Sequence, residues 1–184
     1  MITLLFTIFL TTNAKAENIF DGSINFSAHK LFNQKANKIY KQALACSPLE
    51  LDQSTGKTVV EWMGMQPAIP DWRMLKDLQK VAYEARDFAQ KKHGSDKVLH
   101  CFAGCYISKK LDLKSALMVG WLKELSDASD CSPSTHFEQS DYFATAAGAI
   151  AGKKNSCDSF CSRDDVKNED GNQMLRIAKR ENAL

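Results

Sequence analysis

A chain of 184 residues with a formal net charge of +2 is long enough to bury one core, and its signs are too evenly mixed for the broad basic face that grips nucleic acid. No apolar run approaches the roughly 18 residues of a membrane-spanning helix. Repeats and low-complexity tracts are absent, so solenoid and fibrous architectures are excluded.

The first sixteen residues read as an export signal. Ile2 to Leu10 are mostly apolar, Thr11 to Asn13 are small or polar, and Ala14-Lys15-Ala16 has the small-x-small form of a cleavage site. The first cysteine, Cys46, lies too far downstream to carry a lipid anchor. This organisation predicts a signal over 1–16, a helical domain over 17–163 and a polar, flexible tail over 164–184. The mature product is expected in a periplasm or outside the cell.

Phe26 to Ala45 has apolar residues at helical intervals, with Lys30, Lys35, Lys38 and Lys41 forming a solvated face. Residues 47–70 hold Pro48, Gly56, Gly64, Pro67 and Pro70 and form the least regular stretch; Thr58 to Met63 reads equally as strand or helical turn. Asp71 to Lys92 carries the clearest apolar stripe, through Leu75, Leu78, Val81, Ala85 and Phe88, with Gly94 as a stop. Ser95 is placed to cap a helix running to Lys110, Asp112 one over Leu113 to Ser129, and Ser140 one over Asp141 to Gly152. A short helix then holds Cys157 and Cys161. Beyond Arg163 the chain is polar and expected to fray, with a turn or two of helix at Met174 to Lys179. The fold class is therefore all-α, a single compact bundle of five to six helices stapled by disulfides. An α+β fold with a small hairpin near residues 50–66 is the alternative.

Six cysteines in an exported chain favour bridges over free thiols. Cys101 and Cys105 are four apart, as are Cys157 and Cys161, so each pair marks one stripe of a helix. Antiparallel helices pair them as Cys101–Cys161 and Cys105–Cys157, leaving Cys46–Cys131; parallel helices pair Cys101–Cys157 and Cys105–Cys161. The antiparallel solution is expected. A four-thiolate zinc site is the rival, disfavoured by the spacing and by the oxidising compartment.

Polar residues beside apolar stripes form the candidate site. His100 lies at the edge of the face made by Leu99, Phe102, Ala103, Tyr106 and Ile107, one turn after Asp96. Glu124 flanks the stripe of Leu117, Met118, Trp121, Leu125 and Ala128, with Asp127 one step further round and Lys123 expected to point elsewhere. Asp141 opens a stripe of small residues, Ala144, Thr145, Gly148 and Gly152, that permits close approach of another backbone. His100, Glu124, Asp127 and Asp141 are the candidate catalytic residues. They are also the candidate ligands if a divalent metal is the cofactor. A histidine with carboxylates serves either as an acid–base pair or as a metal site. The competing reading is a helix-edge histidine, a cap aspartate and ordinary surface acids.

The order Asp96-Lys97-x-x-His100, Lys123-Glu124-x-x-Asp127 and Asp141 with Gly148 and Gly152 resembles a pattern in small bacterial envelope proteins and lipoproteins without an established activity. Similar stretches occur near the ends of large secreted bacterial proteins. The resemblance spans residues 95–152 and implies that the four polar residues matter, without naming a reaction. The chain departs from it in lacking a lipid-bearing cysteine and in having Ala144-Thr145 where an asparagine is expected.

Other hydrolase patterns fit less well. His100-Cys101 lacks the aspartate after histidine and the calcium loop of secreted phospholipases A2, and no Gly-x-Ser-x-Gly elbow is present. A lysozyme-like reading needs two carboxylates across a cleft, which any helical protein offers. His29, His93 and His136 read as surface or loop residues, and Trp62, Trp72 and Trp121 as core or interface anchors. The expected function is an exported envelope protein, a hydrolase if catalytic, acting on an envelope component such as peptidoglycan or a protein. The alternative is a non-enzymatic, disulfide-stapled binding or structural factor.

Overall fold

The computed structural model describes residues 72–132 and 138–182, with the isolated positions Lys38, Lys41, Gln42, Ala45, Cys46 and Pro67. The export signal, the irregular stretch before residue 71, most of the first expected helix, Trp62, His29 and His136 lie outside the described residues.

Seven helices and no strand make up the described part: α1 Trp72–Gln90, α2 Asp96–Lys110, α3 Leu113–Ser129, α4 Gln139–Ala151, α5 Cys157–Cys161, α6 Asp164–Lys167 and α7 Gly171–Asn182. The fold is all-α. None of the described helices is long and apolar enough to cross a membrane.

Local chemistry accounts for several boundaries. Asp112 begins α3 with its side chain accepting from the Ser115 N–H at 2.6 Å, and Ser156 begins α5 by accepting from Ser159 N–H at 3.0 Å. Ser95 has the extended backbone of a cap but its side chain makes no capping bond. Ser140 does not cap α4. The helix starts at Gln139, and Ser140 Oγ instead accepts from the buried N–H of Gly171 at 2.9 Å.

Helix α2 is surrounded, by α1, α3, α4 and α5, and its most extensive contact is with α4. The reason is the absence of side chains at the crossing. A Cβ on Gly104 would land on the carbonyl oxygen of Thr145, and one on Gly148 would land on that of Cys101. The two backbones therefore touch through paired glycines, as the small-residue stripe of α4 predicts. Alanines 144, 147 and 151 extend this seam into the main core, which includes Phe102, Phe160, Val166 and Met174.

Two bridges lock the same side. Cys101 joins Cys161 with Cα atoms 5.9 Å apart, and Cys105 joins Cys157 at 5.6 Å, so α2 and α5 run antiparallel. Cys46 joins Cys131. No cysteine is free, which leaves no thiolates for a zinc site.

The C-terminal segment corrects the expectation of a flexible tail from residue 164. Val166 is buried, and α7 lays Met174, Ile177 and Ala178 against α4, the spacing i, i+3, i+4 of an amphipathic helix. Its charged residues lie off that stripe, and Arg163 clasps Glu181 and Asp165 at 2.6 and 2.7 Å. The helical domain thus continues to Asn182.

Candidate functional site

His100 sits on α2 at the polar end of a cavity of about 330 Å³ between α1, α2 and α3. Leu78, Ala82, Leu99, Ala103, Ile107 and Val119 supply much of its apolar wall. Asp96, His100, Lys123 and Thr145 are polar lining residues from three different helices, and Arg86 and Gln79 join from α1.

Both ring nitrogens of His100 face polar groups. Nδ1 lies 3.3 Å from the Thr145 hydroxyl. Nε2 lies 3.4 Å from Asp141 Oδ2 and 3.9 Å from Asp96 Oδ1. The glycine crossing sets this geometry, because it holds Thr145, one turn beyond Asp141 on α4, directly beside α2.

Lys97 gathers the remaining oxygens. Its ammonium bonds Asp141 Oδ1, reaches Glu138 Oε1 at 2.6 Å and lies 3.6 Å from Asp96 Oδ2. Burial pulls the Lys97 pKa down, but the bonds to Asp141 and Glu138 outweigh it and hold the side chain charged. Burial also drives His100 down to about 4 against the opposing charge of Asp96, so the imidazole is neutral at physiological pH. Asp141 is pushed up to about 7, first by burial and then, against its bond from Lys97, by the charge of Asp96.

Glu124 and Asp127 occupy other positions. Glu124 is completely buried and does not line the cavity; its Oε2 accepts from the Glu138 N–H at 3.0 Å. Among the described residues its Oε1 has no hydrogen-bond partner. Burial, reinforced by the charge of Asp141, raises its pKa well above the usual carboxylate range. Asp127 pairs with Lys123 one turn earlier on α3. Lys123, expected to point away, in fact faces the cavity, because it shares a face of α3 with Val119 and Gly120, and that face, rather than the apolar stripe, lines the cavity. Asp127 is raised by burial, which Lys123 only partly offsets.

Of the four residues singled out by spacing, the fold therefore brings His100 and Asp141 into contact, keeps Asp127 near enough for its charge to act on His100, and seals Glu124 behind them. Asp96, His100 and Asp141 each place one ligand atom within 4.8 Å of the others, a set that includes neither Glu124 nor Asp127.

No family model, curated protein or solved structure matches the chain.

The reading by spacing missed Lys97, Thr145 and Glu138 as members of the cluster. Two signals were present. Thr145 follows Asp141 by four residues, and Lys97 sits between Asp96 and the turn of His100, inside the short pattern already noted. Glu138 had no signal, since it reaches Lys97 from the residue that precedes α4.

Proposed function

We propose that the chain is an exported, disulfide-stapled hydrolase of the bacterial envelope or its surroundings, with its reaction centre at His100, Asp141 and Asp96. Export is supported by the N-terminal pattern together with three bridges and no free cysteine, a combination typical of oxidising compartments. The observation that carries the hydrolase reading is the position of His100. It is neutral, is held by Thr145 at Nδ1 with Nε2 turned to the aspartates, and stands where an otherwise largely apolar cavity becomes polar.

A site of this kind activates water at its polar end while the apolar wall holds the body of the substrate. The lining suits a small ester or amide with an apolar acyl part better than a glycan strand of peptidoglycan, which needs polar partners along its length. At about 30 Å³ for each water-sized group, the cavity accommodates on the order of ten non-hydrogen atoms.

The test is turnover of a panel of nitrophenyl esters and anilides of increasing acyl length by the mature, oxidised protein. Saturable hydrolysis with an optimum at medium chain length is expected. It should fall at least about a hundredfold in His100→Gln and should be blocked by Val119→Trp, which fills the cavity, while melting temperatures stay within a few degrees. Hydrolysis that survives His100→Gln, or no turnover across the panel, removes this reading and leaves the stapled helices as a non-enzymatic scaffold.

A further inference from the structure

We propose that Asp96, His100 and Asp141 bind one divalent transition cation of the zinc type at the polar end of the cavity. The consequence for catalysis rests on the hydrolase reading above; the binding does not.

The argument begins with which oxygen faces which neighbour. Each of the two aspartates turns one oxygen to Lys97, Oδ2 of Asp96 and Oδ1 of Asp141. Each turns the other to His100 Nε2, at 3.9 and 3.4 Å. Those distances are long for an N–H···O bond, which settles near 2.9 Å. The shorter one matches the edge of a tetrahedron whose bonds are about 2.1 Å, about 3.4 Å, and the exposed Asp96 side chain has to move inward by about 0.5 Å to bring the longer one to that edge.

The other ring nitrogen completes the pattern. With Nδ1–H donating to Thr145 Oγ1, the Nε2 lone pair is left pointing between the two carboxylates. Metal-binding histidines are oriented in this way, by a partner on the nitrogen that does not bind. Thr145 is itself buried and packed by the helix crossing, so the ring has little freedom to turn.

Charge and access agree. Asp96, Asp127, Glu138 and Asp141 are four carboxyl groups that share the two ammonium groups of Lys97 and Lys123. The completely buried Glu124 lies within electrostatic reach of Asp141, and its Oε1 has no hydrogen-bond partner among the described residues. Asp96 and His100 also line the cavity, so the vacant positions of the ion would open toward substrate. One imidazole and two carboxylates suit zinc or manganese, and at equal supply zinc binds more tightly. A bound water there would be acidified toward neutrality.

The experiment is calorimetric titration of the chelator-treated, disulfide-intact protein with zinc chloride, with magnesium chloride as the control. One equivalent of zinc should bind, with affinity in the micromolar range or tighter, and magnesium should not compete. Asp96→Ala, at an exposed position that the fold does not need, should weaken zinc at least about tenfold, and His100→Gln at least as much. His93→Gln, an exposed histidine elsewhere, should leave the binding constant unchanged. Absence of saturable zinc binding overturns the proposal, as does binding that persists in Asp96→Ala and His100→Gln proteins of unaltered melting temperature. Zinc binding without ester turnover upholds the site and removes the hydrolase reading; ester turnover without zinc binding does the reverse.

Discussion

Toward α4 and α5, helix α2 meets its neighbours through glycines and two sulfur bridges, with no room at the crossing for even a methyl group. Toward α1 and α3 the same helix borders a cavity of about 330 Å³ and a smaller apolar cluster around Val81, Ala85 and Ile107. The difference shows how a small protein keeps an open pocket without losing its fold. Stability is concentrated on one side, and the other side is free to be incomplete. His100 sits on the boundary, one residue from Cys101, so the stapled face sets the position of a group that serves the open one.

The sharpest way to break the comparison is to spoil the glycine crossing. Gly148→Val puts branched carbons where the carbonyl of Cys101 lies, and neither backbone can yield without separating α2 from α4. A loss above about 4 kcal/mol is expected, seen as failure to accumulate or as a fall of more than about 10 °C in thermal melting. Filling the cavity side should be far milder. A Val119→Trp protein that melts as low as Gly148→Val would show that the two sides do not differ.

Removing a staple comes next. Cys105 and Cys157 are 52 residues apart, and closing a loop of that length is worth about 4 kcal/mol in the chain-entropy model. The Cys105→Ala/Cys157→Ala double variant should lose about 2–4 kcal/mol in denaturant titration, and Cys101–Cys161 should then keep His100 in place. A double variant that retains stability but loses zinc or substrate binding would place the staple's role in the site rather than in the fold.

The smallest effect separates the two buried titratable groups of the open side. Folded Glu124 keeps a proton that the unfolded chain releases above pH 4.5, so its contribution to stability declines as pH rises, by about 1.4 kcal/mol per unit until the folded pKa is reached. His100 has the opposite slope. The unfolded chain takes up a proton below pH 6.5 and the folded one only near 4, so stability declines as pH falls through that window. Asp141, also raised, adds to the Glu124 trend, so between pH 4.5 and 6.5 the two carboxyl groups oppose His100. Relative to the parent protein, Glu124→Gln should lose more stability on acidification across the window and His100→Gln should gain, each by at most about 1.4 kcal/mol per pH unit. Denaturant titrations with chelator present, at about pH 4.5 and 6.5, check both signs. Parallel curves for the two variants would mean that these groups are not buried in the states assigned to them.

Much of this architecture was legible before the coordinates. Cysteines four apart report a helical stripe directly, and two such stripes leave few ways to pair. The small residues of α4 likewise announce a close crossing, because only missing side chains allow one. Contacts made by long side chains were not legible. Lys123 lies away from the apolar stripe of α3, yet the face it shares with Val119 and Gly120 borders the cavity, which a single stripe does not reveal. Composition also hid α7. Polar and charged residues outnumber its apolar ones, yet Met174, Ile177 and Ala178 are enough to bury one face. Glu124 was placed beside the apolar stripe correctly, but projection gives an angle and not a depth, and depth is what closes it off from the cavity.

The junction of α7 with α4 carries a consequence for assembly order. The start of α7 rests against the first turn of α4, where Ser140 Oγ receives the Gly171 N–H and the residue that follows is Asp141. Asp141 precedes Gly171 by 30 residues, so it is made well before the brace behind it. The proposed centre would therefore ripen late: until α7 has docked, the first turn of α4 lacks that brace, and a chain cut before Gly171 should bind zinc more weakly than the full chain.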